Sequence, residues 1–442
     1  GNSPAFQSVS AADGTYKVGD QIPITVTWGE AVVVVGTPTL TLSNNATAAY
    51  SSGSGNAALV FTYTVVEGNQ DSSDLSITGY TGTITDAAGN TAAQAFGDLG
   101  DVIIDANSAI FQSVTAVNRT YSVGNTIAIT VTWNEPVVGT TSGLTLSNGA
   151  LAVYTSGTAT TALVYLYIVV EGDNDTTNLS VSAYTGTITD IAGNTAAQVS
   201  GTLGAVVIDA NSPRLVSVTA TDDNYKVGDN IDITVTWNEA VVATNIPVLE
   251  LSNGKTASYI SGSGSTALVF RYAVTEGDAD SSDLSVSNYT GTIKDAAGNT
   301  ANQVSGDLGA VIIDANSPIL QSVNATNGTY KVGDQIDITV TYNQIVVETT
   351  SGLTLSNGAT ASYKSGSGNT AMVYTYTVAE GDNNSPDLSV SNYTGIIGDS
   401  AGNMAYQASG SLGAVIIDGN SPALVSVTAA DDTYKVGDQI PI

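Results

Sequence analysis

Short runs in which apolar and polar residues alternate fill this chain. In ITVTW, Ile24, Val26 and Trp28 alternate with Thr25 and Thr27. In ALVFTYTV, Leu59, Phe61, Tyr63 and Val65 fall on one face, and TLTL does the same with Leu40 and Leu42. A period of two sends successive side chains to opposite faces, so each run predicts a half-buried β-strand with its apolar side on a core. Gly/Ser/Asn clusters such as SNGAT and SGSGNT lie between the runs and supply the turns. No amphipathic stretch of helical length interrupts the pattern.

The pattern repeats. The Asn of the segment VIIDANSP and its variants falls at Asn2, Asn107, Asn211, Asn316 and Asn420, at spacings of 105, 104, 105 and 104. YKVGD (Tyr16, Tyr225, Tyr330, Tyr434; YSVGN at Tyr121), VTW (Trp28, Trp133, Trp237, with Tyr342 in the fourth copy) and D-x-AGN (Asp86, Asp190, Asp295, Asp399) keep the same step. A period this long is a whole domain rather than one turn of a solenoid. The expected units are 1–105, 106–209, 210–314 and 315–418, with 419–442 holding the first strands of a fifth. Those last strands could not bury a core alone, so they belong to a longer array or pair with a neighbouring molecule. About seven short strands in roughly 100 residues predict a Greek-key sandwich of immunoglobulin type. The fold class is therefore all-β, with tandem Ig-like or cadherin-like sandwiches in a rod-like array. The recurrent Trp is expected in each core.

Composition narrows the partners. Forty Asp and Glu against 10 Lys and Arg give a net charge of −30, which leaves no basic face for nucleic acid. There is no Cys and no His, so disulfides and thiolate or imidazole metal sites are excluded. Oxygen ligands remain, and these suit calcium or magnesium. With no His there is no Ser-His-Asp constellation, and the acid pairs recur at domain poles rather than in a cleft, so no enzyme is expected. No apolar run is long enough to span a membrane and no leader is visible, which leaves export signals and anchors to segments outside these residues.

Three acids recur in every unit: the Glu of a V/T/A-E-G turn (Glu67, Glu171, Glu276, Glu380), the Asp of D-x-AGN, and the Asp that closes the last strand (Asp105, Asp209, Asp314, Asp418). In a sandwich of alternating strands, loops fall alternately at the two poles. The E-G turn follows an upward strand and lies at the exit pole beside the junction Asp. D-x-AGN and the W-x-E turn (Glu30, Glu135, Glu239; Gln344 in the fourth unit) lie at the entry pole. Stacking one unit on the next then brings Glu67, Asp105 and Asn107 towards Glu135 and Asp190. The same logic groups Glu171, Asp209 and Asn211 with Glu239 and Asp295, and Glu276, Asp314 and Asn316 with Asp399. Glu380, Asp418 and Asn420 close the fourth unit, and Asp86 opens the first. Carboxylates about 5 Å apart repel by roughly 3 kcal/mol at an effective dielectric near 20. A hard cation taking six to eight oxygens relieves that, so Ca²⁺ is expected at each junction. A second acidic cluster follows each E-G turn. Asp278, Asp280 and Asp283 there fit either a local Ca²⁺ loop or a solvated turn.

IDxNSP after the last strand, the mid-domain Glu and D-x-AGN before the last strand resemble the calcium-linker scheme of cadherins. All four units are similar to the tandem Ig-like or cadherin-like extender repeats of giant bacterial surface adhesins, including RTX-type and biofilm-associated proteins. That resemblance implies an extracellular stalk, stiffened by calcium, whose adhesive tip in other domains meets a host or matrix surface. The junction ANSP lacks the second Asp of the cadherin DxNDN linker, and Gln344 and Asn125 replace acids. Two other readings are open: a repeat array that itself binds glycan or protein through exposed tyrosines, and a subunit that assembles with like chains into a fibre. The loops VVVVGTP, VVGTTSG, VVATNIP and VVETTSG carry no aromatic residue, which favours the stalk.

Overall fold

The computed structural model describes residues 1–442, and every regular element in it is a strand. The chain divides into two compact units, Gly1–Ser212 with Ala297–Asn299, and Pro213–Ala296 with Thr300–Ile442. Each unit contains two hydrophobic cores.

The first core of the first unit shows how the alternation becomes a sandwich. Its strands are β1 (Phe6–Ser10), β2 (Gly14–Tyr16), β3 (Gln21–Leu42), β4 (Thr47–Ser52), β5 (Asn56–Thr64), β6 (Ser76–Thr85), β7 (Gly97–Asp98) and β8 (Val102–Ile104). The opening half of β3 pairs antiparallel with β1 and β5, while its closing half pairs with β4 and β6. One path of 22 residues thus serves both layers, with register shifts at Thr27/Val32 and Val35/Thr39 where it crosses between them. β2 pairs parallel with β8 and ties the start of the repeat to its end.

The alternating residues face inward as expected. Ile24, Val26, Trp28, Leu40, Leu59 and Phe61 are fully buried, and Trp28 meets Tyr80 edge-on at 6.3 Å. The second core of this unit repeats the arrangement around Trp133 and Tyr184. In the second unit Trp237 and Tyr342 take the same place in the two cores. Removing water from so many large apolar side chains is what makes each repeat a stable layer pair.

Two features differ from the sequence reading. VVVVGTP stays extended inside β3, because a run of β-branched residues favours strand over loop. In the second repeat the equivalent path breaks into Thr126–Val138 and Gly143–Leu146 around the TTSG turn. Residues after Asp418 carry no strand. Leu424, Val425 and Val436 in that segment are exposed.

Candidate metal centre at the repeat junction

Within the first unit, β8 ends at Ile104 and the chain runs from Asp105 straight into the next repeat. The Asp105 N–H donates to Tyr16 O, and Ala106 N donates to Asp71 Oδ1 at 2.8 Å, so the backbone of the junction is pinned by the repeat it leaves. From the next repeat comes the Asp190–Asn194 turn. Asp190 Oδ1 accepts the N–H groups of Gly193 and Asn194 at 2.7 and 2.9 Å, and Gly193 takes φ 98°, a conformation that suits glycine. Glu135 follows Trp133 at the end of the buried stretch of its strand, which sends its side chain to the same pole.

One carboxylate oxygen from each of Asp105, Glu135 and Asp190 lies within 4.8 Å of the others. Asp190 is buried, and Asp105 and Glu135 are half-buried. Burial raises the Asp105 and Glu135 carboxyls above their usual range, and the neighbouring charges (Asp190 for Asp105; Asp105 and Asp190 for Glu135) add to the shift. Lys17, the lysine beside this junction, lies over Gly193 of the Asp190–Asn194 turn and makes no ion pair with the three acids. Three oxygens at this spacing can hold a metal ion, and an all-oxygen set fits a hard divalent cation.

The structure sorts the other expected ligands. Glu67 lies at the junction, but its two oxygens accept the N–H and hydroxyl of Ser108 at 3.1 and 2.9 Å. Glu171 does the same for Ser212, Glu276 for Ser317 and Glu380 for Ser421. Asn107 donates to Asp71 Oδ1 at 2.8 Å, Asn211 to Asp175, Asn316 to Asp280 and Asn420 to Asn384. These residues brace the junction backbone. Asp209 N donates to Tyr121 O, as Asp105 does to Tyr16. Asp418 ends its strand opposite Lys331. Asp86 is closed over by its own turn, where the Asn90 side chain, with backbone donors, holds its carboxyl below the usual range. In the sequence Glu239 and Asp295 stand at the positions of Glu135 and Asp190, and Asp295 is buried.

Two functional positions escaped the sequence reading. Asn194, the last residue of D-x-AGN, accepts Val18 N–H at 2.8 Å and donates to Asp190 Oδ2 at 2.8 Å and Asp105 O at 3.1 Å. It is buried and bonds one repeat to the next directly. Its signal is present in the sequence, since AGN recurs in all four units. The other is Asp71, with Asp175; Asp280, the equivalent in the third repeat, is read from the sequence as part of a local Ca²⁺ loop or a solvated turn and instead clamps the junction backbone. These sit in the acidic cluster after the E-G turn and face the junction. Asp278 in the same cluster turns inward to Lys255, Tyr272 and Thr275, so Asp278 and Asp280 do not converge on one loop site.

The fourth repeat exchanges two acids for amides, with opposite consequences. Asn384 replaces the Asp71-type residue and still accepts, from Gly419 N and Asn420 Nδ2, so that position is lined by donors. Gln344 replaces the Glu135-type residue and donates, to Asn316 O at 3.0 Å and Asp399 Oδ2 at 3.1 Å. That position is lined by acceptors, the environment a cation needs.

No helix is long and apolar enough to cross a membrane. No family model matches the chain, and no curated protein matches it. Among solved structures it is similar to a three-domain Ig segment of titin, I67–I69 in an E-to-A mutated variant, at 10% identity and a TM-score of 0.31, covering 70% of this chain and 99% of that one. A marsupial T cell receptor matches at 11% identity and a TM-score of 0.26, covering 68% and 98%. The full extracellular region of plexin A4 matches at 7% identity and a TM-score of 0.17, covering 93% and 48%. At such scores the fold assignment stands on the strand pairing itself, which gives tandem Ig-like β-sandwiches.

Proposed function

We propose that the chain is a structural extender of an extracellular surface protein, with Ca²⁺ bound where one repeat meets the next. The observation that carries this reading is the Asp105–Glu135–Asp190 cluster, three acids supplied from both sides of a junction. At 4.8 Å each ionised pair repels by about 3 kcal/mol before solvent screening. A divalent cation turns that repulsion into a tie between the repeats. Glu67, Asp71 and Ser108 brace the backbone of the junction, as a tie between repeats requires. Support for the extracellular setting comes from the resemblance to adhesin extender repeats. In that setting the neighbours are other repeats of the chain, and the adhesive contact is made by other domains.

Calorimetric titration of the chain with Ca²⁺ tests the reading. Binding is expected, together with a raised melting temperature, and Glu135→Gln should remove one bound ion. Small-angle scattering should show greater flexibility after chelation. Absence of binding heat with an unchanged melting temperature would sink the proposal.

A further inference from the structure

The junction inside the second unit differs from that inside the first by one functional group. In the first unit Asp105, Glu135 and Asp190 converge as three carboxylates. In the second the same positions hold Asp314, Gln344 and Asp399. Gln344 Nε2 donates both to Asn316 O, on the repeat being left, and to Asp399 Oδ2, on the repeat being entered. Asp399 Oδ2 also accepts from Asn403 Nδ2 at 2.9 Å, and its Oδ1 accepts Gly402 N and Asn403 N at 2.8 and 2.9 Å. The Asp399 carboxylate is thus met by four N–H donors. The rest of the joint is conventional: Asn403 accepts Val227 N–H at 2.9 Å and donates to Asp314 O, as Asn194 does with Val18 and Asp105.

We propose that Gln344 is a built-in substitute for the cation, so that the Asp314 junction stays closed without Ca²⁺ while the Asp105 junction depends on it. The amide supplies the donors that a metal would otherwise supply, and it removes one of three negative charges. An amide N–H to a carboxylate is a charge-assisted bond that a carboxylate at the same place cannot make. Withdrawal of calcium would then loosen chosen joints rather than the whole array. This rests on the cation reading of the first unit's junction, and the experiment separates the two.

Val18 N–H and Val227 N–H are equivalent reporters, each bonded across its own junction. Hydrogen exchange of the full chain is followed at both, with Ca²⁺ and with chelator. In the native sequence chelation should speed exchange at Val18 about tenfold or more and leave Val227 within about twofold. Gln344→Glu should make Val227 respond to chelation as Val18 does and add one bound Ca²⁺ per chain. Gln344→Ala should speed Val227 at either calcium level, with Val340 in the core strand as the control for folding. Equal acceleration of Val18 and Val227 in the native sequence overturns the proposal, as does a Gln344→Glu chain that stays insensitive and gains no ion. If Val18 ignores calcium, the cation reading fails. Gln344→Ala then decides the latch alone: faster Val227 exchange upholds it, and unchanged exchange overturns it.

Discussion

Asn194 offers the sharpest test of how two repeats are joined, because one buried side chain both accepts and donates across the junction. Asn194→Ala removes the acceptor for Val18 N–H and the donor to Asp105. The first bond is neutral, worth about 1 kcal/mol net. The second group of contacts reaches a carbonyl and, at 3.3 Å, a carboxylate, worth about 1.5 kcal/mol. A loss of about 2.5 kcal/mol of coupling raises the population of the opened junction about 70-fold, at 1.36 kcal/mol per tenfold. Native-state hydrogen exchange at Val18 reads that population, while Ile129, in the core strand of the second repeat, should hold its rate. Asn194→Asp separates hydrogen bonding from charge. It keeps an oxygen for Val18 and adds a fourth carboxylate, so its junction should be weaker than that of Asn194→Ala under chelation and recover with Ca²⁺. If Val18 exchanges at the native rate in Asn194→Ala, the junction is held by something other than this side chain and the reasoning is wrong.

The raised carboxyls of Asp105 and Glu135 give the chelated junction a signed pH dependence. Their folded forms bind protons more readily than the unfolded chain, so stability from these groups is present below about pH 4 and lost as pH rises through the elevated folded values. Added Ca²⁺ should reverse the slope, and exchange at Val18 across pH 4 to 7 with and without the ion checks both limbs. Ser108→Ala strips Glu67 of its hydroxyl donor and should weaken the junction by about 1 kcal/mol, visible as a roughly fivefold faster exchange at Ala106. Lys255→Met leaves the buried Asp278 without its ion pair and should cost the third repeat about 1–2 kcal/mol at neutral pH, discounted because Lys255 is 44% exposed. Asp278 is itself held below the usual carboxylate range, against its burial, by Lys255, Thr275 and Tyr272. The deficit should therefore shrink as pH falls below about 4, which denaturant melts at two pH values would show.

The fold was legible because strand alternation and a whole-domain period are long-range, redundant signals. ITVTW and ALVFTYTV placed Ile24, Trp28, Leu59 and Phe61 correctly, and all four are fully buried. The continuity of β3 was not legible, because VVVVGTP combines strand-forming valines with turn-forming Gly and Pro, and only the pairing of Val33–Val35 with β6 decides between them. Pole-counting placed Asp105, Glu135 and Asp190 together, but it could not say which way a carboxylate faces once at the pole. Glu67 arrived beside the junction and was taken up by Ser108, a partner 41 residues away whose role no local pattern declares.

The two acid-to-amide exchanges of the fourth repeat supply what the pattern of acids lacks. Asp and Glu are acceptors wherever they sit, so their recurrence alone cannot tell a position that faces N–H groups from one that faces oxygens. An amide has both faces and must choose. Asn384 turns its oxygen to Gly419 N and Asn420, which marks the Asp71-type position as a clamp on the backbone that needs no ion. Gln344 turns its nitrogen to Asn316 O and Asp399, which marks the Glu135-type position as one lined by negative oxygen. A carboxylate there adds charge to charge, and a joint so built is closed only by something positive. The deviant repeat, more than the three that agree, therefore separates the acids of this array that can hold a cation from those that clamp backbone.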